Sequence, residues 1–281
     1  MRAVVRKQEA FVGAVDGLRL FRRTWLPENS PSATVLLVHG FAEHSGRYTE
    51  LAEYLCSRNL CLAAFDLRGH GQSDGKRAHV DRFEDYLLDL DSFLESLDDQ
   101  LPGPFWLLGH SLGGLIATRY TQSRQNRVAG LILSSPFLGF AIKVPLYKVV
   151  MGKLLSGILP SLVMKTGLDP SVLSHDERVV QSYRTDPLVS KVASARWFTE
   201  TLQAQSEALE DAPALDLPLL VLQAGDDKLS SVEVTRRFFD RAGSADKELE
   251  IYPSMFHEVF NEKERQKPLK RMADWLEKHL E

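Results

Sequence analysis

No run of lysines and arginines in this chain is dense enough to track a phosphate backbone, and its 281 residues carry a formal net charge of −4. That balance argues against a nucleic-acid partner, because such proteins meet the phosphates with a basic stripe. Cysteine is nearly absent, Cys56 and Cys61 being the whole complement. The first falls on a predicted helix and the second opens a predicted strand, so no bridge is expected, and no Cys/His spacing suits zinc. The opening stretch "MRAVVRKQEAFVGAVDG" has no uninterrupted apolar segment, so no secretory leader is read there. Together these features lead to the expectation of a reducing, cytoplasmic setting. Long apolar runs are also missing. The nearest approach, residues 144–164, has 13 apolar residues in 21, but two lysines, two prolines and two glycines interrupt it and argue against a membrane span.

What is present alternates. "EAFVGAV" and "LRLFRRTWL" flank Asp16-Gly17, which predicts a hairpin closed by a two-residue turn. Short apolar runs follow at 33–40, 60–66, 104–110, 128–136, 217–225 and 247–253, each rich in strand-forming residues. Between them lie helical patterns at 45–58 and 81–100. The second places Phe83, Tyr86, Leu87, Leu90, Phe93, Leu94 and Leu97 on one face. Such alternation predicts an α/β fold with about eight strands, mostly parallel, in a sheet flanked by helices. Residues 137–212 break the rhythm after the sixth strand. We read 1–136 and 213–281 as two parts of one core and 137–212 as an inserted helical cap. Its apolar stretch admits two roles, packing over the core or offering an apolar face to a membrane or lipid aggregate.

The chemistry centres on "GHSLGG" at 109–114. The string stands where a buried strand turns sharply into a helix, which is the context of a nucleophile elbow. Small residues two positions either side of Ser111 let the turn close and leave its hydroxyl exposed, and the helix that follows aims amides at the same point. A serine needs a base, and the base an orienting acid, in the chain order serine, acid, histidine. "LQAGDDKLS" offers Asp226 and Asp227, between which spacing does not choose. Only His257 and His279 follow them, and His279 lies among charges in the terminal helix, where we expect it to be solvated. An oxyanion would be held by the Leu112 amide and by one from the loop "HGFAEHSGRY", with Phe41 N–H the candidate. His39 in that loop is read as a positioning residue, and "DLRGHGQSDG" as a cross-linked turn beneath the site.

Five blocks, "HGFAEHSGRY", "FDLRGHGQSDG", "GHSLGG", "LQAGDDKLSS" and "YPSMFHEVFNE", resemble the monoglyceride lipases and related lysophospholipases of the α/β-hydrolase fold. "DPSVLS" and "YRTDPLV" extend the resemblance into the insertion. It implies Ser111 as nucleophile, His257 as base and Asp227 as the acid, with Phe41 and Leu112 amides on the oxyanion. It also implies that Glu43, Arg47 and Tyr183 lie near the substrate. One place departs from the pattern. Three residues after the catalytic histidine the animal enzymes carry a second histidine near the glycerol, where this chain has Phe260. That departure bears on head-group selectivity and leaves the chemistry unchanged.

The expected reaction is hydrolysis of a single-chain lipid ester, monoacylglycerol first, through an acyl-enzyme on Ser111. No metal or organic cofactor is called for. A lysophospholipase or general carboxylesterase differs only in the head group. An aminopeptidase would call for acids in the cap to grip an amine, and residues 137–168 contain none. A non-catalytic lipid-binding relative would typically have lost a triad member, and all three are present.

Overall fold

The computed structural model describes residues 5–97, 101–142 and 144–280. Strands β1 (Arg6–Gly13) and β2 (Arg19–Leu26) form the expected antiparallel hairpin. Its turn is longer than two residues. Ala14 N–H donates to Leu18 C=O at 2.8 Å, and Gly17 takes a φ of 85° in the three-residue loop so closed. Asp16 stays within a tight turn, in which Gly17 N–H donates to Ala14 C=O at 3.0 Å, and the extra residue is Gly17 in the left-handed region; the Asp16 carboxylate also accepts from Arg68 at 2.9 Å.

The chain then runs β3 (Ala33–Val38), α1 (Thr49–Cys56), β4 (Leu60–Phe65), α2 (Glu84–Glu95), β5 (Phe105–His110), α3 (Leu112–Ser123) and β6 (Gly130–Ser134). The core is completed by β9 (Leu219–Ala224), α7 (Val232–Arg241), β10 (Lys247–Tyr252) and α8 (Gln266–Lys278). The eight-stranded sheet has the order β1-β2-β4-β3-β5-β6-β9-β10, antiparallel at β1, β2 and β4 and parallel beyond. Every residue of β3, β4, β6 and β9 is buried, because helices cover both faces. On one face Leu51 and Leu55 of α1 pack with Leu269, Met272 and Trp275 of α8. On the other, α2 and α3 supply Leu90, Phe93, Leu115 and Ile116. Each leucine so enclosed contributes roughly 1.5–3 kcal/mol.

Two predicted helices are shorter than their apolar patterns. Residues 45–48 form a 3-10 turn before α1, capped by the His44 side chain accepting from Gly46 N–H. The 81–100 pattern yields α2 only from Glu84, since Asp85 folds back to accept from Arg82 N–H; residues 98–100 lie outside the described residues.

Between β6 and β9 stand α4 (Leu146–Ile158), α5 (Glu177–Thr185) and α6 (Ala195–Glu210), with two short strands, β7 (Val163–Lys165) and β8 (Val192–Ser194), paired antiparallel. The insertion is thus helical with a small ribbon. Ser190 and Ser194 N–H donate to Ala42 and Ala78 C=O, tying the ribbon to core loops. No described helix is long and apolar enough to cross a membrane.

Candidate active site

Ser111 sits between β5 and α3 with φ 52° and ψ −118°, a conformation that costs about 1–3 kcal/mol and persists only when its surroundings impose it. They do: Ser111 N–H donates to Ser134 C=O at 3.0 Å, and Ser111 C=O accepts from Phe137 N–H at 2.9 Å. The elbow also requires its glycines. A methyl on Gly113 would run into the Val38 and His39 carbonyls, and one on Gly109 into the Gly113 backbone. Leu112 opens α3, so its amide belongs to the first turn, whose N–H groups lack intrahelical partners. Phe41 follows β3 across Gly40 and lines the same cavity as Ser111, its ring lying on Trp197 with centroids 4.0 Å apart.

The structure separates the two aspartates. Asp227 Oδ2 receives His257 Nδ1 at 2.8 Å, while its Oδ1 accepts from Leu229 and Ser230 N–H, both at 2.9 Å. Asp226 points outward and pairs with Lys228. His257 is buried and lines the cavity with Ser111. Burial acts most strongly on its imidazole, against protonation, yet the charge and hydrogen bond of Asp227 outweigh it and raise the pKa above the usual 6.5. Burial likewise opposes ionisation of Asp227, and His257 with the two amides overcomes it, so the carboxyl is held below its usual range. His279 is not solvated as expected. It packs on Trp275 and bonds Asp246 at 2.8 Å, remote in the fold from Ser111.

His39 takes the positioning part expected of it, with Nε2 accepting from Leu67 N–H at 2.9 Å and Nδ1 donating to Gly40 C=O at 2.7 Å. In the "DLRGHGQSDG" turn, Asp66 accepts from Ser45 and Gln72 N–H, and Arg68 donates to Asp89 from Nε and Nη2, each at 2.6 Å.

Glu43 and Tyr183 line the cavity, as does Glu258, which the sequence reading left unassigned. Arg47 lies beside the cavity, bonded to residues that line it. Its guanidinium lies one layer back, bonding Glu43 at 2.6 Å and Glu258 at 2.7 and 2.8 Å, with its carbon 4.8 Å from the Tyr183 ring centre. Two carboxylates draw the cation away from the open space. Burial would push the Glu43 carboxyl up, but Arg47 and its other neighbours hold it at about 2. Phe260 does not face the main cavity; it borders a small separate pocket with Tyr48 and His110.

Sequence reasoning also missed the brace on the histidine loop. Buried Glu262 accepts from Phe256 N–H at 2.9 Å and from His175 Nδ1 at 2.7 Å, and Glu258 N–H donates to Leu173 C=O at 2.9 Å. The neighbours on either side of His257 are therefore pinned. No local pattern marks a glutamate for such a part.

The cavity has a volume of about 810 Å³. Phe137, Phe140, Met151, Leu155, Trp197 and Phe198 make its wall largely apolar. On α4, Tyr147, Met151 and Leu155 line the cavity at four-residue spacing, with Tyr147 and Met151 still largely open to solvent, and Leu146, Val150, Leu154 and Ile158 are exposed beside them. Among the described residues no group of three or more His, Cys, Asp or Glu is placed to hold a metal ion.

Residues 29–264 match the family described as Serine aminopeptidase, S33. Human monoglyceride lipase is 37% identical over 88% of this chain and 82% of its own length. Phospholipase YtpA of Bacillus subtilis is 34% identical over 92% of this chain and 99% of its own. The crystal structure of Paleococcus ferrophilus monoacylglycerol lipase superposes with a TM-score of 0.85 at 34% identity, covering 92% of this chain and 99% of that one. With its eight-stranded sheet and serine elbow, the chain belongs to the monoglyceride lipase and lysophospholipase family of α/β-hydrolases and is a serine hydrolase of lipid esters.

Proposed function

We propose that the enzyme cleaves monoacylglycerol to fatty acid and glycerol through an acyl-enzyme on Ser111. The observation that carries this reading is the meeting of Ser111 and the His257–Asp227 pair on one largely apolar cavity. Asp227 fixes the tautomer, so His257 Nε2 is free to take the Ser111 proton as Oγ attacks the acyl carbonyl. The Phe41 and Leu112 amides stabilise the oxyanion. His257 then protonates the leaving alcohol, and water activated by the same nitrogen releases the fatty acid. The apolar wall holds one acyl chain, each buried methylene adding about 0.8 kcal/mol. The stripe Leu146, Val150, Leu154 and Ile158 supports peripheral contact of the cap, residues 137–212, with a membrane or lipid aggregate.

Similarity to a phospholipase favours one competing reading, lysophospholipid hydrolysis. Fatty-acid release from a long-chain monoacylglycerol and the lysophosphatidylcholine of the same chain decides between them. Faster turnover of the first is expected, and preference for the second overturns the head-group assignment while leaving the mechanism.

The chemistry also fixes a pH dependence. His257 acts as base only when neutral, and Asp227 raises its pKa above 6.5. As pH falls through that value the proton stays on the imidazole and kcat/KM drops, so the acid limb should lie above 6.5. A profile of kcat/KM from about pH 5 to about pH 9 measures it. A rate flat to the acid end would remove His257 from the role of base.

A further inference from the structure

The head-group end of the cavity holds one charged residue that the family resemblance did not supply, Glu258. The buried charged side chains of that end are Glu43 and Glu258, with the Tyr183 ring beside them and Arg47 behind. The remaining charges on the lining, Lys165, Asp169 and Lys228, are exposed. Two carboxylates against one guanidinium leave an excess negative charge in a buried place.

Hydrogen-bond capacity points the same way. A carboxylate has about four lone-pair sites and no proton to give. Glu43 Oε1 accepts from Gly40 N–H and the Tyr48 hydroxyl, both at 2.6 Å, and Oε2 accepts from Arg47. Glu258 Oε1 accepts from Arg47, and Oε2 accepts from Arg47 and from Asn261 Nδ2 at 2.8 Å. Each carboxylate therefore keeps about one open acceptor site. A ligand that fills both must bring two donors. Phosphate brings acceptors and negative charge, which meet these oxygens as like against like.

Building on the monoacylglycerol reading, we infer that Glu258 is a specificity-determining residue: with Glu43 it forms an acceptor-only end that selects a diol head group and rejects a phosphate. The two free hydroxyls of a monoacylglycerol supply one donor to each glutamate. Arg47 supports both carboxylates from behind and does not serve as an anion receptor, since its charge is already claimed twice.

The test compares kcat/KM for a monoacylglycerol, the lysophosphatidate of the same chain and a p-nitrophenyl ester without a head group, in wild type and Glu258→Gln. Like-charge contacts at a buried site cost several kcal/mol, so wild type should prefer monoacylglycerol over lysophosphatidate by about 100-fold or more. Glu258→Gln removes one charge and replaces one of the two accepting oxygens by an NH₂ donor, and should narrow that ratio by about tenfold or more by raising lysophosphatidate turnover. A wild-type ratio within a few-fold of unity, or a ratio unmoved in the variant, overturns the inference. A measurement on wild type alone guards against a variant that does not fold: an uncleavable alkylglycerol ether should inhibit p-nitrophenyl ester hydrolysis at concentrations about tenfold below the matching alkyl phosphate, and equal potency overturns the inference. Failure to hydrolyse any of the esters sinks the hydrolase reading itself. Monoacylglycerol cleavage without phosphate discrimination sinks only the part assigned to Glu258.

Discussion

Ser111→Ala should lower kcat for monoacylglycerol hydrolysis by about a millionfold while leaving the fold intact. The loss is large because, in the proposed mechanism, Ser111 Oγ is the atom that becomes acylated, and no other group in the cavity is seated on the elbow. The fold survives because the elbow is held through its backbone, by Ser134 C=O and Phe137 N–H, and those bonds do not involve Oγ. Alanine also bears a Cβ and therefore tolerates φ 52° as poorly as serine does, so the strain is unchanged. Thermal unfolding should move by no more than about 0.5 kcal/mol. Stopped-flow acylation with a p-nitrophenyl ester, read beside a melt, measures both. Activity within tenfold of wild type would reduce Ser111 to a turn residue and overturn the account of the site.

The second large effect belongs to the acid. Asp227→Asn should cost about 10⁴ in kcat, and Asp226→Asn no more than a few-fold. Asp227 Oδ1 receives the Leu229 and Ser230 amides, so the asparagine carbonyl must take that place and its NH₂ must face His257. A donor there selects the tautomer with the proton on Nε2, which cannot accept from Ser111. The same replacement removes the charge that raises the His257 pKa, so the residual activity should have its acid limb displaced to lower pH. Asp226 is solvated beside Lys228 and touches neither His257 nor its loop through its side chain. Equal losses in the two variants would show that the acid acts through the fold of the loop and not through the imidazole.

Local chemistry alone carried much of the fold. Stretches with at most one polar residue, such as "ATVLLV" and "LCLAAF", read as strands covered on both faces because no polar side is left to solvate. "GHSLGG" announced a strand–turn–helix because the crowding at Gly109 and Gly113 leaves few other residue types there. Chain order placed His257 after the acid. The ribbon β7–β8 was not legible, since three residues on each side carry no period to read. The hairpin loop has three residues where two were read, because Asp-Gly serves equally a two-residue turn and a tight turn followed by a left-handed glycine, and here Gly17 takes the second part.

The sequence by itself pointed to the architecture, to Ser111 and His257, and to a pair of candidate acids, because each follows from residue type, local periodicity and order along the chain; the family resemblance then chose Asp227 from the pair. Only the tertiary structure showed Asp227 on His257, Arg47 bonded to Glu43 and Glu258 behind the lining, Glu258 on the cavity wall and Glu262 bracing the histidine loop. The bond between Arg47 and Glu258 spans 211 residues. The direction in which a buried side chain turns is set by its partners across the fold, and no stretch of neighbouring residues contains them.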